Sequence, residues 1–412
     1  MNFCVVVGVI SLVVVGLFHP ASCVRVNIEN YSWQRPRLPH LASVAEIEEG
    51  RAEYHGHVAQ VLKGDCDLDC QIQKDNQPIS IEELDRDMSF ETLDVVKQLK
   101  FKTIVNVTES SILPSEPALD TQVEIEDEPS SRHKRAIFGL DTRFQLPAKK
   151  FSTMFPFSTA VKLSTGCAGV LLSPKHVLTS AHCLHDGKRY LKGVKKLRVG
   201  RVVKKKLRKR NKKRRKKGRK NRKSAALSRS KRSSTPTYKL KFKWTRAKRT
   251  HLPEGWIRRP GQPNSGLSVE YDYAVVELKK PLGNASMKMG ISPAREHLPG
   301  SHRIHFTAFG QNKDNDLLYR YCAVDEQSND IMYHRCDAQR GTSGAGVYVR
   351  LYDRDTRSWD RRVIGIFSGH QWVNMGEGQP RKEYNTAVRI TPRKFAQICF
   401  WTTDDDSECR GN

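Results

Sequence analysis

Three side chains of this chain have the types and settings needed for nucleophilic acyl transfer. Ser343 sits in Cys336-Asp337-Ala338-Gln339-Arg340-Gly341-Thr342-Ser343-Gly344-Ala345-Gly346-Val347, framed by glycines just before an apolar run. A serine hydroxyl becomes a nucleophile when a tight turn exposes its Oγ and a base takes its proton. Backbone N–H groups must also face the developing oxyanion. Gly341 frees the backbone so that its N–H and that of Ser343 can point the same way. Upstream, Leu178-Thr179-Ser180-Ala181-His182-Cys183 offers an imidazole as base, and Tyr271-Asp272-Tyr273-Ala274-Val275 offers a carboxylate to orient it. A Gly-Ser-Gly run alone is also an ordinary loop. The ordered set of His182, Asp272 and Ser343 is what points to catalysis.

Such a site must be held by rigid elements. From Ala136 on, short β-branched runs alternate with Gly, Ser and Pro: Thr159–Leu163, Gly169–Leu172, His176–Thr179, Tyr273–Leu278, Gly346–Leu351, Val363–Phe367 and Tyr384–Ile390. This spacing predicts an all-β fold. Thr391-Pro392 starts a predicted helix that runs to Trp401. Many short strands and one terminal helix predict a double β-barrel with the site in the cleft between barrels.

The 412 residues carry a net charge of +28, unevenly spread. Residues 1–23 have an apolar core and a small-residue end at Ala21-Ser22-Cys23, which reads as a secretory signal peptide; the alternative is a signal anchor. No second long apolar run follows, so no membrane span is expected in the mature chain. Residues 24–135 are polar and acidic with little sustained periodicity, apart from a short helix expected from Ile81. They read as a loosely structured prosegment, with a flexible linker over Leu113–Ser131. It ends in Arg132-His133-Lys134-Arg135, where Arg135 marks a cleavage site for a proprotein convertase; the alternative is a solvated charge cluster. Residues 136–412 form the second domain.

Ten cysteines suit an oxidising compartment. Eight fall as neighbours, predicting Cys66–Cys70, Cys167–Cys183, Cys322–Cys336 and Cys399–Cys409, although sequence alone leaves connectivity open. A zinc site at Cys66 and Cys70 is the rival, but no His/Cys pair at ligand spacing accompanies it. No metal or cofactor is expected. Asn30, Asn106 and Asn284 head glycosylation sequons.

A basic insertion, expected at about 199–240, lies between the His182 and Asp272 blocks. Sixteen of the twenty residues 204–223 are Lys or Arg. Such a block packs into no core, and it predicts binding to sulfated glycosaminoglycans or other extracellular polyanions by counterion release. Arg229-Ser230-Lys231-Arg232 repeats the processing pattern, with a cut expected after Arg232. Nucleic acid is disfavoured as a partner: the signal peptide and paired cysteines argue against it, and no aromatic residues interleave the run.

Taken in order, Gly166–Leu172, Leu178–Cys183, Asp272–Leu278, Gly341–Gly346 and Gly365–Gly369 resemble the signature blocks of trypsin-like (S1) serine proteases. The resemblance implies the chymotrypsin-like double barrel. It makes His182 the general base, Asp272 its orienter and Ser343 the nucleophile, in the chain order His, Asp, Ser. It assigns Gly341 and Ser343 to the oxyanion hole, and places Ser368 and Gly369 on the strand that pairs with a protein or peptide substrate. Cys167–Cys183 would close the histidine loop. Asp337 sits at the offset of a basic-specificity residue, with Cys336 displaced from the family spacing. Thr342 replaces the aspartate that pairs with the new amino terminus after activation, and Ala136-Ile137-Phe138-Gly139 departs from the usual Ile-Val-Gly-Gly. The pocket is then preformed or never forms. Two readings follow, an extracellular serine endopeptidase and a catalytically silent homologue that binds through its basic loop.

Overall fold

The computed structural model describes residues 38, 40–55, 81–108, 144–145, 151–206, 238–257, 269–293, 295–298, 303–310, 317–353, 357–373, 380 and 382–403. The chain opens with β1 (His40–Arg51), helix α1 (Ile81–Met88), β2 (Phe90–Asp94) and β3 (Leu99–Thr108). Apart from two-residue strands, there follow β4 (Ala160–Leu163), β5 (Ala168–Leu171), β6 (His176–Thr179), β7 (Arg198–Lys206), β8 (Tyr238–Pro253) and β9 (Ala274–Leu278). Six more are β10 (Arg303–Phe309), β11 (Leu317–Gln327), β12 (Ile331–His334), β13 (Gly346–Asp353), β14 (Ser358–Val373) and β15 (Lys382–Arg389), before helix α2 (Pro392–Thr403).

Each set of six closes on itself. The order β8-β7-β4-β5-β6-β9 is completed by β8 pairing with β9, and β14-β13-β10-β11-β12-β15 by β14 pairing with β15. Closure leaves no open edge within either barrel. The runs that alternate or repeat β-branched residues supply the interiors. Leu163, Leu171, Val177 and Val276 are fully buried in barrel 1, and Ile304, Val347, Val349 and Ile364 in barrel 2. A third cluster joins Val170 and Val275 of barrel 1 to Tyr333 and Ile366 of barrel 2, and takes in Ile398 and Trp401 of α2. Large apolar side chains therefore lock the two barrels together, and the expected all-β double barrel with its C-terminal helix is the observed one.

Two boundaries differ from the sequence reading. The segment expected to be a loose prosegment is ordered over its described residues. β1, β3 and β2 extend the barrel 1 sheet in the order β1-β3-β2-β8, with Phe90 to Asp94 paired against Pro253 to Arg249. In β3, Thr103, Val105 and Val107 are buried while Asn106 is exposed. That is a period-2 pattern which polar neighbours masked in the sequence. The basic insertion begins later and ends earlier than 199–240. Lys204, Lys205 and Lys206 pair with Leu240, Lys239 and Tyr238, because the strand ladder continues past the barrel wall. Residues 207–237 and the cut at Arg232 lie outside the described residues. So do residues 1–37, Cys66, Cys70, Asn30, Arg135 and Cys409.

The bridges Cys167–Cys183 and Cys322–Cys336 are formed, with Cα–Cα separations of 6.0 and 5.4 Å, and Cys399 is disulfide-bonded. Among the described residues no helix is long and apolar enough to cross a membrane.

Candidate active site

His182 lies in a 3-10 turn, Ala181–Cys183, directly after β6. The Cys167–Cys183 bridge ties that turn to the start of β5. Asp272 follows the turn Val269–Tyr271 and precedes β9. Because Ala274 pairs with Thr179, both residues emerge at the same end of neighbouring strands.

The carboxylate grips the histidine twice. The His182 backbone N–H donates to Asp272 Oδ1 at 2.8 Å, and His182 Nδ1 bonds Oδ2 at 2.7 Å. Asp272 is fully buried and His182 is 5% exposed. A proton on Nδ1 facing the carboxylate leaves the Nε2 lone pair of a neutral ring as the basic atom. A second donor comes from the other barrel, where Ser368 Oγ on β14 donates to Asp272 Oδ2.

The Ser343 loop is docked on the same elements. Ser343 O accepts the Ala168 N–H at 2.8 Å, and Gly344 N–H donates to Phe367 O at 2.8 Å. Phe367 O also accepts Ser180 Oγ at 2.9 Å. One carbonyl thus holds the loop on one side and the residue two before His182 on the other. Gly344 has φ +81°, and a Cβ there would collide with Thr179 Oγ1 and Ala168 O. Only glycine allows this approach. Gly341 has φ +95°, and Ser343 is half-buried.

Thr342 is buried at 3% exposure. Its Oγ1 accepts the Gln339 N–H at 3.3 Å, and its N–H donates to Gln339 O at 3.0 Å. The loop therefore closes on itself through a hydroxyl where the family pattern has an aspartate.

One sequence assignment is corrected, and one residue gains a role. Asp337 is 2% exposed and ion-paired to Arg320 on β11, with Nη2 2.5 Å from Oδ2. A buried carboxylate already neutralised by a guanidinium has no charge left for a substrate cation, so it is not a basic-specificity residue. Ser368 is 1% exposed and its hydroxyl donates to Asp272, so its side chain holds the dyad, a role separate from the backbone pairing expected of its strand. Gly369 O accepts Thr386 Oγ1 at 3.1 Å.

Several docking residues had no signal in the sequence. Ser180, Thr179 and Arg320 are ordinary residue types whose partners lie on other strands. His185 is buried in the turn after His182: its Nδ1 accepts the Gly187 N–H, and burial pushes the imidazole down to about 4. His370 is partly exposed, with Nε2 2.5 Å from Glu383 Oε1. Cysteine sulfur surrounds His182 and His334, but those cysteines are disulfide-bonded and offer no thiolate to a metal.

The model of the trypsin family matches residues 148–343. Inactive serine protease 35 of Mus musculus is 40% identical over 397 residues, covering 92% of this chain and 93% of that protein. Serine protease 23 of Homo sapiens is 40% identical over 379 residues, covering 92% of each. Serine protease 23 of Bos taurus is 48% identical over 280 residues, covering 68% of each. Among solved structures, a Glu endopeptidase in complex with MPD aligns at TM-score 0.39 and 14% identity, over 64% of this chain and 98% of that one.

Proposed function

The chain belongs to the trypsin-like (S1) family of serine proteases, and from that premise we propose that it is an extracellular serine endopeptidase that uses Ser343, His182 and Asp272. The observation that carries this reading is the buried His182–Asp272 pair, held from both barrels and bonded at 2.7 and 2.8 Å. A base oriented in this way is what a serine nucleophile needs.

In the proposed mechanism His182 Nε2 takes the proton from Ser343 Oγ as it attacks the carbonyl carbon of a peptide bond. Asp272 stabilises the imidazolium that results. The N–H groups of Gly341 and Ser343 hold the oxyanion, a contribution of about 3 kcal/mol per donor in comparable sites. His182 then returns the proton to the leaving amine, and water repeats the sequence to release the acyl group. The self-closed Thr342 loop supports a pocket that forms without an inserted amino terminus. Cleavage after Arg135 by a proprotein convertase would then act through the prosegment. The basic stretch 204–223 adds a polyanion-binding arm.

The other reading, a silent homologue that acts through that arm, draws on the same Thr342 and on the internal neutralisation of Asp337. A fluorophosphonate probe separates them. Processed wild-type protein should label on Ser343, and Ser343→Ala should abolish labelling and peptide hydrolysis without loss of secretion. Absence of labelling in correctly folded, processed protein would establish the silent reading.

A further inference from the structure

The outer face of barrel 2 carries three arginines in one row across three neighbouring strands. Arg350 on β13 stands directly opposite Arg361 on β14. His305 on β10 pairs with Tyr348 on β13. Two residues along on the same face, Arg303 therefore lines up with Arg350. At about 4.8 Å between strands, the row spans about 10 Å.

Like charges directly opposite one another destabilise an antiparallel ladder. Among the described residues Arg303, Arg350 and Arg361 make no ion pair with a carboxylate. Each guanidinium lies instead against an aromatic ring. Arg350 is 3.9 Å from the ring centre of Trp359, Arg303 5.7 Å from that of Tyr321, and Arg361 5.8 Å from that of Phe155. Those rings are 51%, 41% and 48% exposed. Stacking holds a guanidinium in place and leaves its N–H fork able to bond an anion.

Behind the row lies His305, its ring stacked on Tyr348 at 5.5 Å and its Nδ1 2.7 Å from Tyr319 Oη. Burial, then the fields of Arg361, Arg350 and Arg303, push this imidazole down to about 4. The second row is thus neutral near neutral pH.

We propose that this face is a docking surface for a sulfated glycan chain, with sulfates bound by Arg303, Arg350 and Arg361 and sugar rings packed on Trp359, Tyr321 and Phe155. Guanidinium forks match tetrahedral oxyanions bidentately, and an exposed aromatic face suits the C–H side of a sugar ring. The alternation of cation and ring is what distinguishes a glycan from a simpler polyanion, which needs only charge. The surface is built on the folded second barrel. Its residues are distinct from those of the basic insertion, which connects β7 to β8 of barrel 1.

The test uses the full chain in two forms, wild type and one with the Lys and Arg residues of 208–223 replaced by Ser and Gly. A heparin-derived hexasaccharide, its unsulfated counterpart, a single-stranded oligonucleotide and poly-glutamate are titrated by calorimetry. The insertion-neutralised protein should bind the sulfated hexasaccharide in a one-to-one complex. Replacing all three arginines with Ser should weaken that binding by a factor on the order of 100 and lower the salt slope by about 2, from three contacts at about 0.7 each. Arg→Lys replacements keep the charge but lose the fork, and should fall between. On the unmutated chain, the hexasaccharide should protect Arg303, Arg350 and Arg361 from phenylglyoxal, as mapped by mass spectrometry. Unchanged affinity in the triple Ser variant, or no protection of the unmutated chain, would overturn the proposal. Equal binding of oligonucleotide or poly-glutamate would overturn the glycan assignment in favour of a general polyanion surface.

Discussion

Cutting the chain between Arg135 and Ala136 should not release the prosegment. Strand β2 is zipped onto β8 through five register pairs, from Phe90–Pro253 to Asp94–Arg249. The Glu254 N–H donates to Ser89 O at 2.9 Å, Tyr190 Oη donates to Glu91 at 2.6 Å, and Gln397 Nε2 donates to Met88 O at 2.8 Å. Phe90 sits edge-on to Trp401 at 5.6 Å and to Phe400 at 6.0 Å. Leu84, Met88, Phe90, Leu93 and Val105 are each at most 4% exposed. At about 2 kcal/mol apiece these contribute about 10 kcal/mol, and the surfaces they cover contribute a similar amount. Joining two separate chains costs about 10 kcal/mol. The remainder corresponds to a dissociation constant between micromolar and nanomolar. The assay replaces residues 132–135 with the site of a specific protease, cuts the purified protein, and runs gel filtration followed by a denaturing gel. Both pieces should co-elute. Phe90→Ala removes a buried ring at a cost of about 3 kcal/mol or more, so its nicked form should dissociate at least a hundredfold more readily. A wild-type body that elutes without its prosegment would refute the reasoning.

Gly344→Ala should destabilise the domain by about 2 kcal/mol or more and abolish activity, since both its φ and its contacts with Thr179 and Ala168 exclude a Cβ; normal peptide hydrolysis by this variant would disprove the docking of the loop. Asp337→Ala should lower the melting temperature, because it takes from the buried Arg320 the carboxylate bonded to it, at a cost of about 3 kcal/mol, while the residue preferred before the cut bond stays the same. A switch of that preference at unchanged stability would restore Asp337 as a selector. Burial pushes His334 and His251 down to about 3 from 6.5. Their folded values lie below the unfolded one, so this stability is whole above about pH 6.5 and is lost as pH falls toward 3, at about 1.4 kcal/mol per pH unit per histidine. His334→Gln should flatten the fall of melting temperature over that range, and equal slopes would count against the assignment.

What the sequence determined by itself is what short-range chemistry encodes. Short β-branched runs bounded by Gly, Ser and Pro, such as His176–Thr179 and Gly346–Leu351, are too short for helices and read as strands. Thr391-Pro392 can only start a helix, and α2 begins at Pro392. Cysteines separated by 16 and 14 residues found one another. The types and order of His182, Asp272 and Ser343 pointed to acyl transfer before any geometry was known. What only the tertiary structure decided depends on register and barrel closure. The spacing of Asp337 before Ser343 suggested a selector; β11 brought Arg320 to it and removed the charge. Ser368 turned inward to Asp272 because the second barrel packs against the end of β6 and β9. The segment read as a prosegment extends the barrel 1 sheet because β8 offered Phe90–Asp94 a partner 159 residues away, as far as Thr92 lies from His251. The arginine row is the same kind of fact. Arg303, Arg350 and Arg361 are scattered surface residues along the chain, and they become one surface only when cross-strand register sets them side by side, since a strand positions its side chains by its neighbours and not by its own sequence.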